Sequence, residues 1–275
     1  MRRFAYTTLC IPTLLFAASL HAQTLYWSTS SCNGDESNTK GGWGWSQQEH
    51  VCELRRIVLP LKDGHIQVSG TNGGIHVIGE DRNDIELTVL VTAYASSKDK
   101  AAQIESQVKI LTDGTIHDEG PLSSGWFFHS GYSVDYWLHV PQHISTELQT
   151  ENGGIDIQNA VGTLHAETTN GGLILKDVSG DVHAHTVNGG IKINLSGDSW
   201  QGAGLSAQSV NGGIFVTVPD HYSAHLVSQT VNGGITVHFP ITVQGDLRNH
   251  LDTNLGQGGS TIHLETVNGG ISISK

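Results

Sequence analysis

The chain has 275 residues, with 34 glycines, six prolines, three cysteines and a formal net charge of −12. Glycine does not fall at every third position, which excludes a collagen helix. The strong negative charge makes nucleic acids and anionic lipid surfaces poor partners.

Residues 1–22 place Arg2 and Arg3 ahead of a short apolar run that ends in small side chains, the layout of a secretory signal peptide cut after Ala22. Thr7, Thr8, Pro12 and Thr13 interrupt a run already short for a membrane anchor. Cys10 has no small residue before it, which argues against lipoprotein processing there. No later segment is apolar enough to serve as a transmembrane segment, so the mature chain is expected in the periplasm, at the cell surface or secreted. Removing the leader takes away two arginines and no acid, leaving 12 basic against 26 acidic side chains, a net −14.

Residues 23–51 read as an irregular polar lead-in that contains Trp43 and Trp45. Cys32 and Cys52 are the two cysteines left, and in an oxidising compartment such a pair predicts one disulfide. Closing a loop of that size stabilises by about 3 kcal/mol in the chain-entropy model. Two free thiols or a shared metal have no supporting ligand spacing. Strands follow in RRIVLPL, GHIQVSG and DIELTVLV, with a first Asn-Gly-Gly at Asn72. The turn Glu80-Asp81-Arg82-Asn83-Asp84 superficially resembles a calcium loop. It lacks the glycine and distal glutamate of an EF-hand and is read as a polar turn. Residues 96–110 (SSKDKAAQIESQVKI) predict the one helix, with Ser at its start and Ala101, Ile104, Val108 and Ile110 near helical spacing. After a break comes the aromatic run GWFFHSGYSVDYW, which includes Trp126, Phe127, Phe128, Tyr132, Tyr136 and Trp137.

The remainder is a repeat. Its triplets are Asn72-Gly73-Gly74, Asn152-Gly153-Gly154, Asn170-Gly171-Gly172, Asn188-Gly189-Gly190, Asn211-Gly212-Gly213, Asn232-Gly233-Gly234 and Asn268-Gly269-Gly270. Ile follows in six copies and Leu173 in the other. The separations are 80, 18, 18, 23, 21 and 36 residues, and the last, twice 18, leaves room for a degenerate copy. LQTENGGIDIQNAVG, AETTNGGLILKDVSG and AHTVNGGIKINLSGD align without gaps. Apolar or small residues alternate with polar ones through them: Leu164, Ala166, Thr168, Leu173 and Leu175 in one copy, Val182, Ala184, Thr186, Ile191 and Ile193 in the next. Such alternation marks strands with one buried face.

Each copy is thus a strand, an Asn-Gly-Gly turn, a strand and a second turn near Gly162 or Gly180. Copies that cannot bury a face alone predict stacking. The expected fold is all-β: a β-solenoid, or parallel β-helix-like stack of 18-residue rungs, over 52–275 and most regular over 148–275, with one short helix in the N-terminal half. An antiparallel β-sandwich is the alternative, because Asn-Gly also signals hairpins. The shared register of the three copies favours the solenoid. In each triplet, Asn and Gly are expected to turn the chain through the left-handed backbone region. The Asn side chains are expected to form a bonded column along the stack.

RRIVLPLKDGHIQVSGTNGGIHVIGE, VDYWLHVPQHISTELQTENGGIDI and LGQGGSTIHLETVNGGISI together resemble the bacterial "putative adhesin" family, secreted or envelope β-strand-repeat proteins with a domain of unknown function. The resemblance spans about residues 52–275. It implies a β-solenoid in a cell-envelope setting and supplies no catalytic residue.

Sixteen histidines raise the question of metal. His165 and His183 share a repeat position, His183 and His185 form His-x-His, and Glu167 lies in the same column. They are outward positions without a further ligand, and a solvated polar face accounts for them, with no metal and no cofactor. Trp126, Tyr132 and Trp137 are candidate ligand contacts through ring stacking on a glycan, against the preferred reading that the aromatic cluster caps the open end of the stack. A carbohydrate hydrolase or lyase needs paired acids, whereas Asp156, Glu167, Asp177 and Asp181 are scattered. No Gly-x-Ser-x-Gly, cysteine nucleophile or phosphate-cradling loop is present. The sequence therefore points to a non-enzymatic adhesin or surface scaffold whose partner is an envelope protein or a glycan. A glycan-binding module is the second reading and a β-helix carbohydrate-active enzyme the third.

Overall fold

A computed structural model of the protein describes residues 27–31, 48–121, 130–241 and 248–275. The predicted leader, Cys32, Trp43, Trp45, Trp126, Phe127 and Phe128 lie outside the described residues. The N-terminal elements are β1 (Ser28–Ser31), β2 (Glu49–Pro60), β3 (His65–Asn72), β4 (Ile75–Glu80), β5 (Asp84–Ala95), α1 (Lys98–Glu105), β6 (Lys109–Leu111), β7 (Ile116–Glu119) and β8 (Gly131–Pro141). Rungs follow as a longer strand, a corner and a shorter strand: β9 (Ser145–Asn152) with β10 (Ile155–Gln158), then β11 (Val161–Asn170) with β12 (Leu173–Lys176). Next come β13 (Ser179–Asn188) with β14 (Ile191–Asn194), β15 (Gly204–Asn211) with β16 (Ile214–Thr217), and β17 (Ala224–Asn232) with β18 (Ile235–Val237). β19 (His250–Leu255) precedes the last pair, β20 (Thr261–Asn268) and β21 (Ile271–Ser274).

The longer strands join a ten-stranded sheet in the order β19-β17-β20-β15-β13-β11-β9-β3-β7-β6. The shorter ones join an 11-stranded sheet, β1-β2-β5-β8-β4-β10-β12-β14-β16-β21-β18. Rung pairs with rung in parallel and in register, so that Asn170 lies beside Asn152 and Asn188. The fold is the β-solenoid and not the antiparallel sandwich. Among the described residues antiparallel pairing is confined to β1–β2–β5–β8, β6–β7 and β17–β19.

Alternation decides what fills the space between the sheets. Leu164, Val182, Leu205 and Ile262 line the long-strand sheet, and Ile155, Leu173, Ile191, Ile214 and Ile271 the short-strand sheet, all buried. Each such side chain contributes about 1.5–3 kcal/mol on burial, and only stacking buries it.

Three expectations change, for the lead-in, the 36-residue interval and the helix. Part of the lead-in is ordered, because Ser28–Ser31 pairs antiparallel with β2. The 36-residue interval holds no extra rung in its described part; β19 runs back antiparallel along β17 instead. The 80-residue interval holds β5, α1, β6, β7 and β8, while Asn72 and Asn152 remain neighbours in space. The helix is shorter than predicted. Ser97 caps its start, accepting from the Lys100 N–H at 3.4 Å, and Ser106 is its C-cap. Val108 and Ile110 lie beyond it, Ile110 on β6 opposite Asp118, because the chain there enters the long-strand sheet.

Helix α1 packs on β5, β2 and β8. Arg55 on β2 holds it down: Nε donates to Glu53 at 2.6 Å, Nη1 to the Val108 carbonyl at 2.6 Å, and Nη2 pairs with Glu105 at 2.5 Å. Burial and the neighbouring Glu53 push the Glu105 carboxyl up, opposed by the Arg55 charge. Arg55→Ala would leave two half-buried acids without their cation. The expected loss is about 3 kcal/mol in urea unfolding, with no change in the spectroscopic signature of the folded β-sheet.

Candidate functional site: the corner ladder and the outer faces

At each Asn-Gly-Gly corner the seven Asn side chains form one ladder. Nδ2 of Asn152 donates to Oδ1 of Asn72 at 3.1 Å, Asn170 to Asn152 and Asn188 to Asn170 at 2.9 Å, and Asn211 to Asn188 at 3.0 Å. Asn268 then donates to Asn211 at 2.9 Å, and Asn232 to Asn268 at 2.8 Å. A second ladder runs just inside it. Before six of the seven Asn, all but Asn72, the buried hydroxyl two residues earlier donates to the first-glycine carbonyl of the neighbouring rung: Thr150 to Gly73, Thr168 to Gly153, Thr186 to Gly171, Ser209 to Gly189, Thr266 to Gly212 and Thr230 to Gly269, at 2.7–3.0 Å. Sequence reading took Thr168 and Thr186 only as small buried residues. The signal for the second ladder was the recurrence of Thr or Ser at that one position.

The reason for glycine differs from the one expected. Of the seven first glycines only Gly73 has a clearly positive φ (+125°), and none of the seven Asn does. What demands glycine is proximity. A Cβ on Gly171, Gly189 or Gly212 would sit on the carbonyl oxygen of Gly153, Gly171 or Gly189 respectively, far inside van der Waals contact. The second glycine is freer, since a Cβ on Gly190 would lie 3.2 Å from the Gly213 carbonyl. Left-handed backbone belongs to the opposite corner, at Asn159 (φ 60°), Asp177 (φ 53°) and Gly180 (φ 112°).

The outward face of the long-strand sheet collects the histidines. His165 and His183 stand side by side with ring centroids 6.3 Å apart. His183 pairs with Asp181 at 3.1 Å, His263 with Glu265 at 3.6 Å and His165 with Glu167 at 3.9 Å. Each pair stays within its own strand. Among the described residues no three His, Cys, Asp or Glu side chains converge on a metal position. In the acidic turn a cation is already built in: Arg82 lies 2.8 Å from Asp84 and 3.5 Å from Glu80 and Glu86. Asp156 accepts from Gln158 on the outer face of the other sheet, and Asp177 sits at a corner, so the four acids share no site.

The described part of the aromatic segment lies within a strand from residue 131 onward, and not over the open end of the stack. β8 lies inside the short-strand sheet, bonded to β5 on one side and β4 on the other. Tyr136 is fully buried and donates to Asp118 at 2.8 Å. Tyr132 is half-buried against Gly120, and burial with the nearby Asp118 pushes its hydroxyl up to about 12. Trp137 points outward, but its ring is stacked on His76, 5.4 Å between centroids and 9° between planes. One ring face is therefore covered. Sequence reading also missed Trp200, which is buried and donates to the Gly180 carbonyl at 3.1 Å, sealing the rung enlarged to 23 residues.

Along the outer face of the short-strand sheet one column runs Trp137, His76, Asp156, Ile174, Lys192, Phe215. Ile174 is 41% and Phe215 56% exposed. Two recesses among the described residues lie away from this column. One of about 540 Å³, floored by Leu59, Ile66, Ile85 and Ile116, opens at the N-terminal end, and one of about 320 Å³ lies around Tyr222 and Phe239.

Residues 52–274 match the family model described as Toastrack DUF4097. The chain belongs to the Toastrack DUF4097 family. No curated protein matches it in sequence. Among solved structures it is similar to a "putative cell adhesion protein" from Clostridium sporogenes ATCC 15579, with 12% identity over 80% of this chain and 99% of that one and a TM-score of 0.37. A "putative adhesin" from Bacteroides fragilis NCTC 9343 shares 14% identity over 80% of this chain and 96% of that one, TM-score 0.33. Another from Parabacteroides merdae ATCC 43184 shares 9% over 81% and 96%, TM-score 0.32. No helix among the described residues is long and apolar enough to cross a membrane.

The corner geometry separates the two glycines of one Toastrack rung. Gly189→Val is expected to cost about 3 kcal/mol or more, because the obstacle is backbone. Gly190→Ala should cost less than about 1 kcal/mol. Thr186→Val, which leaves the buried Gly171 carbonyl without its donor, should fall between, at about 1–2 kcal/mol. Urea unfolding of the three variants checks the order.

Proposed function

We propose that this protein is a non-enzymatic, secreted or envelope β-solenoid that acts as an adhesin or surface scaffold through the outer face of its short-strand sheet. The observation that carries the reading is the exposed column in which Ile174 and Phe215 flank Lys192. Large apolar side chains held on a flat, rigid surface suit contact with a macromolecule. Rungs about 4.8 Å apart set their spacing. A protein component of the envelope fits this column better than a sugar does, since the Trp137 ring already lies against His76. The reading includes export with cleavage after Ala22 and a Cys32–Cys52 disulfide. An exported chain beginning at Gln23, with thiols titratable only after reduction, would support both.

The test is binding of labelled mature protein to isolated envelope. The double variant Ile174→Ser with Phe215→Ser should bind at least about tenfold more weakly, and His183→Ala on the opposite face should bind like the parent. Equal binding by the double variant would overturn the assignment of the face. Turnover of any polysaccharide by the parent would overturn the non-enzymatic reading.

A further inference from the structure

The rungs do not stack in the order in which they occur along the chain. β20 and β21 lie between β15/β16 on one side and β17/β18 on the other. The Asn ladder accordingly runs from Asn211 to Asn268 and only then to Asn232. Both walls of this slot come from residues 204–237, and the rung that fills it comes later in sequence.

The fit in the slot is generic. Thr266 donates to the Gly212 carbonyl and Thr230 to that of Gly269, the bonds made at nearly every other corner. Ile262, Leu264, Ile271 and Ile273 fill the same inward positions as their counterparts elsewhere in the stack. No contact in the slot distinguishes this chain's own rung from the same rung of another copy. The chain arrives there through LGQGGS (255–260), in which Gly256, Gly258 and Gly259 have φ of +52°, +76° and +134°. That segment is a tight bend held in conformations that favour glycine, as a hinge would be.

We propose that residues 261–274 form an exchangeable rung, and that the slot between β15/β16 and β17/β18 accepts this rung from a second copy of the chain. The product is a reciprocally swapped dimer. Contacts within the slot are the same in both forms, so hinge strain and protein concentration set the balance. Opening the hinge removes the need for positive φ at Gly259. A Cβ at 259 would meet no obstacle, only the Ser223 carbonyl in ordinary contact at 3.9 Å. Gly259→Val therefore strains the closed hinge and leaves the slot untouched.

The mature full-length chain carries the test. Gln208 and Glu265 are register partners on the outer face, joined side chain to side chain at 3.4 Å, so Gln208→Cys with Glu265→Cys reports which chain fills the slot. After refolding at low and high protein concentration and oxidation, peptide mapping on non-reducing gels should show the 208–265 link within one chain at low concentration. At high concentration it should join two chains. Adding Gly259→Val should move the crossover to at least about tenfold lower concentration. Should Gly259→Val fail to fold by circular dichroism, the cysteine pair in the parent hinge decides alone. A link found only within single chains at every concentration overturns the proposal, as does a folded Gly259→Val chain that stays monomeric by light scattering wherever the parent does.

Discussion

Backbone crowding at one corner governs this structure. The carbonyl of each first glycine occupies the place where the next rung's side chain would begin, and a buried hydroxyl and an amide ladder close over it. Packing this tight leaves no room for a one-residue slip, which would drive a Cβ into backbone and turn every inward side chain outward. Register at the corner therefore fixes which residues form the core and which face solvent along the whole stack.

The same economy explains the irregular features. Rungs that recognise one another through backbone, one hydroxyl and one amide tolerate changes between corners, and the 23-residue rung absorbs its extra residues around Trp200. They also tolerate a stacking order that differs from chain order, as at β20/β21. At the N-terminal end generic packing stops. There α1 and its Arg55 network replace the long-strand sheet over β2 and β5, and the bonds become specific to individual side chains.

The two outer faces are chemically unlike. The rung strands of the long-strand sheet, β9, β11, β13, β15, β17 and β20, hold no lysine or arginine and present acids beside histidines. The short-strand face carries Lys176 and Lys192 together with exposed Ile174 and Phe215. The proposed contact role of this Toastrack chain rests on the exposed apolar side chains of the short-strand face.

Period and alternation were legible in the sequence because they are local: a repeat of 18 residues with apolar side chains two apart leaves few ways to bury one face. The all-β stack, its rung and the Asn column followed from that. Tertiary structure decided what depends on neighbours distant in the chain. It showed that glycine is required at the corner by the adjacent rung's carbonyl and not by its own φ, and that Thr186 is a bonded group, not merely a small one. It placed Tyr136 inside the core and set Trp137 against His76, though both belong to one aromatic run. It also put Asn268 between Asn211 and Asn232. When every rung carries the same edge chemistry, the sequence specifies that rungs stack, and only the path of the connections in three dimensions determines which rung lies beside which.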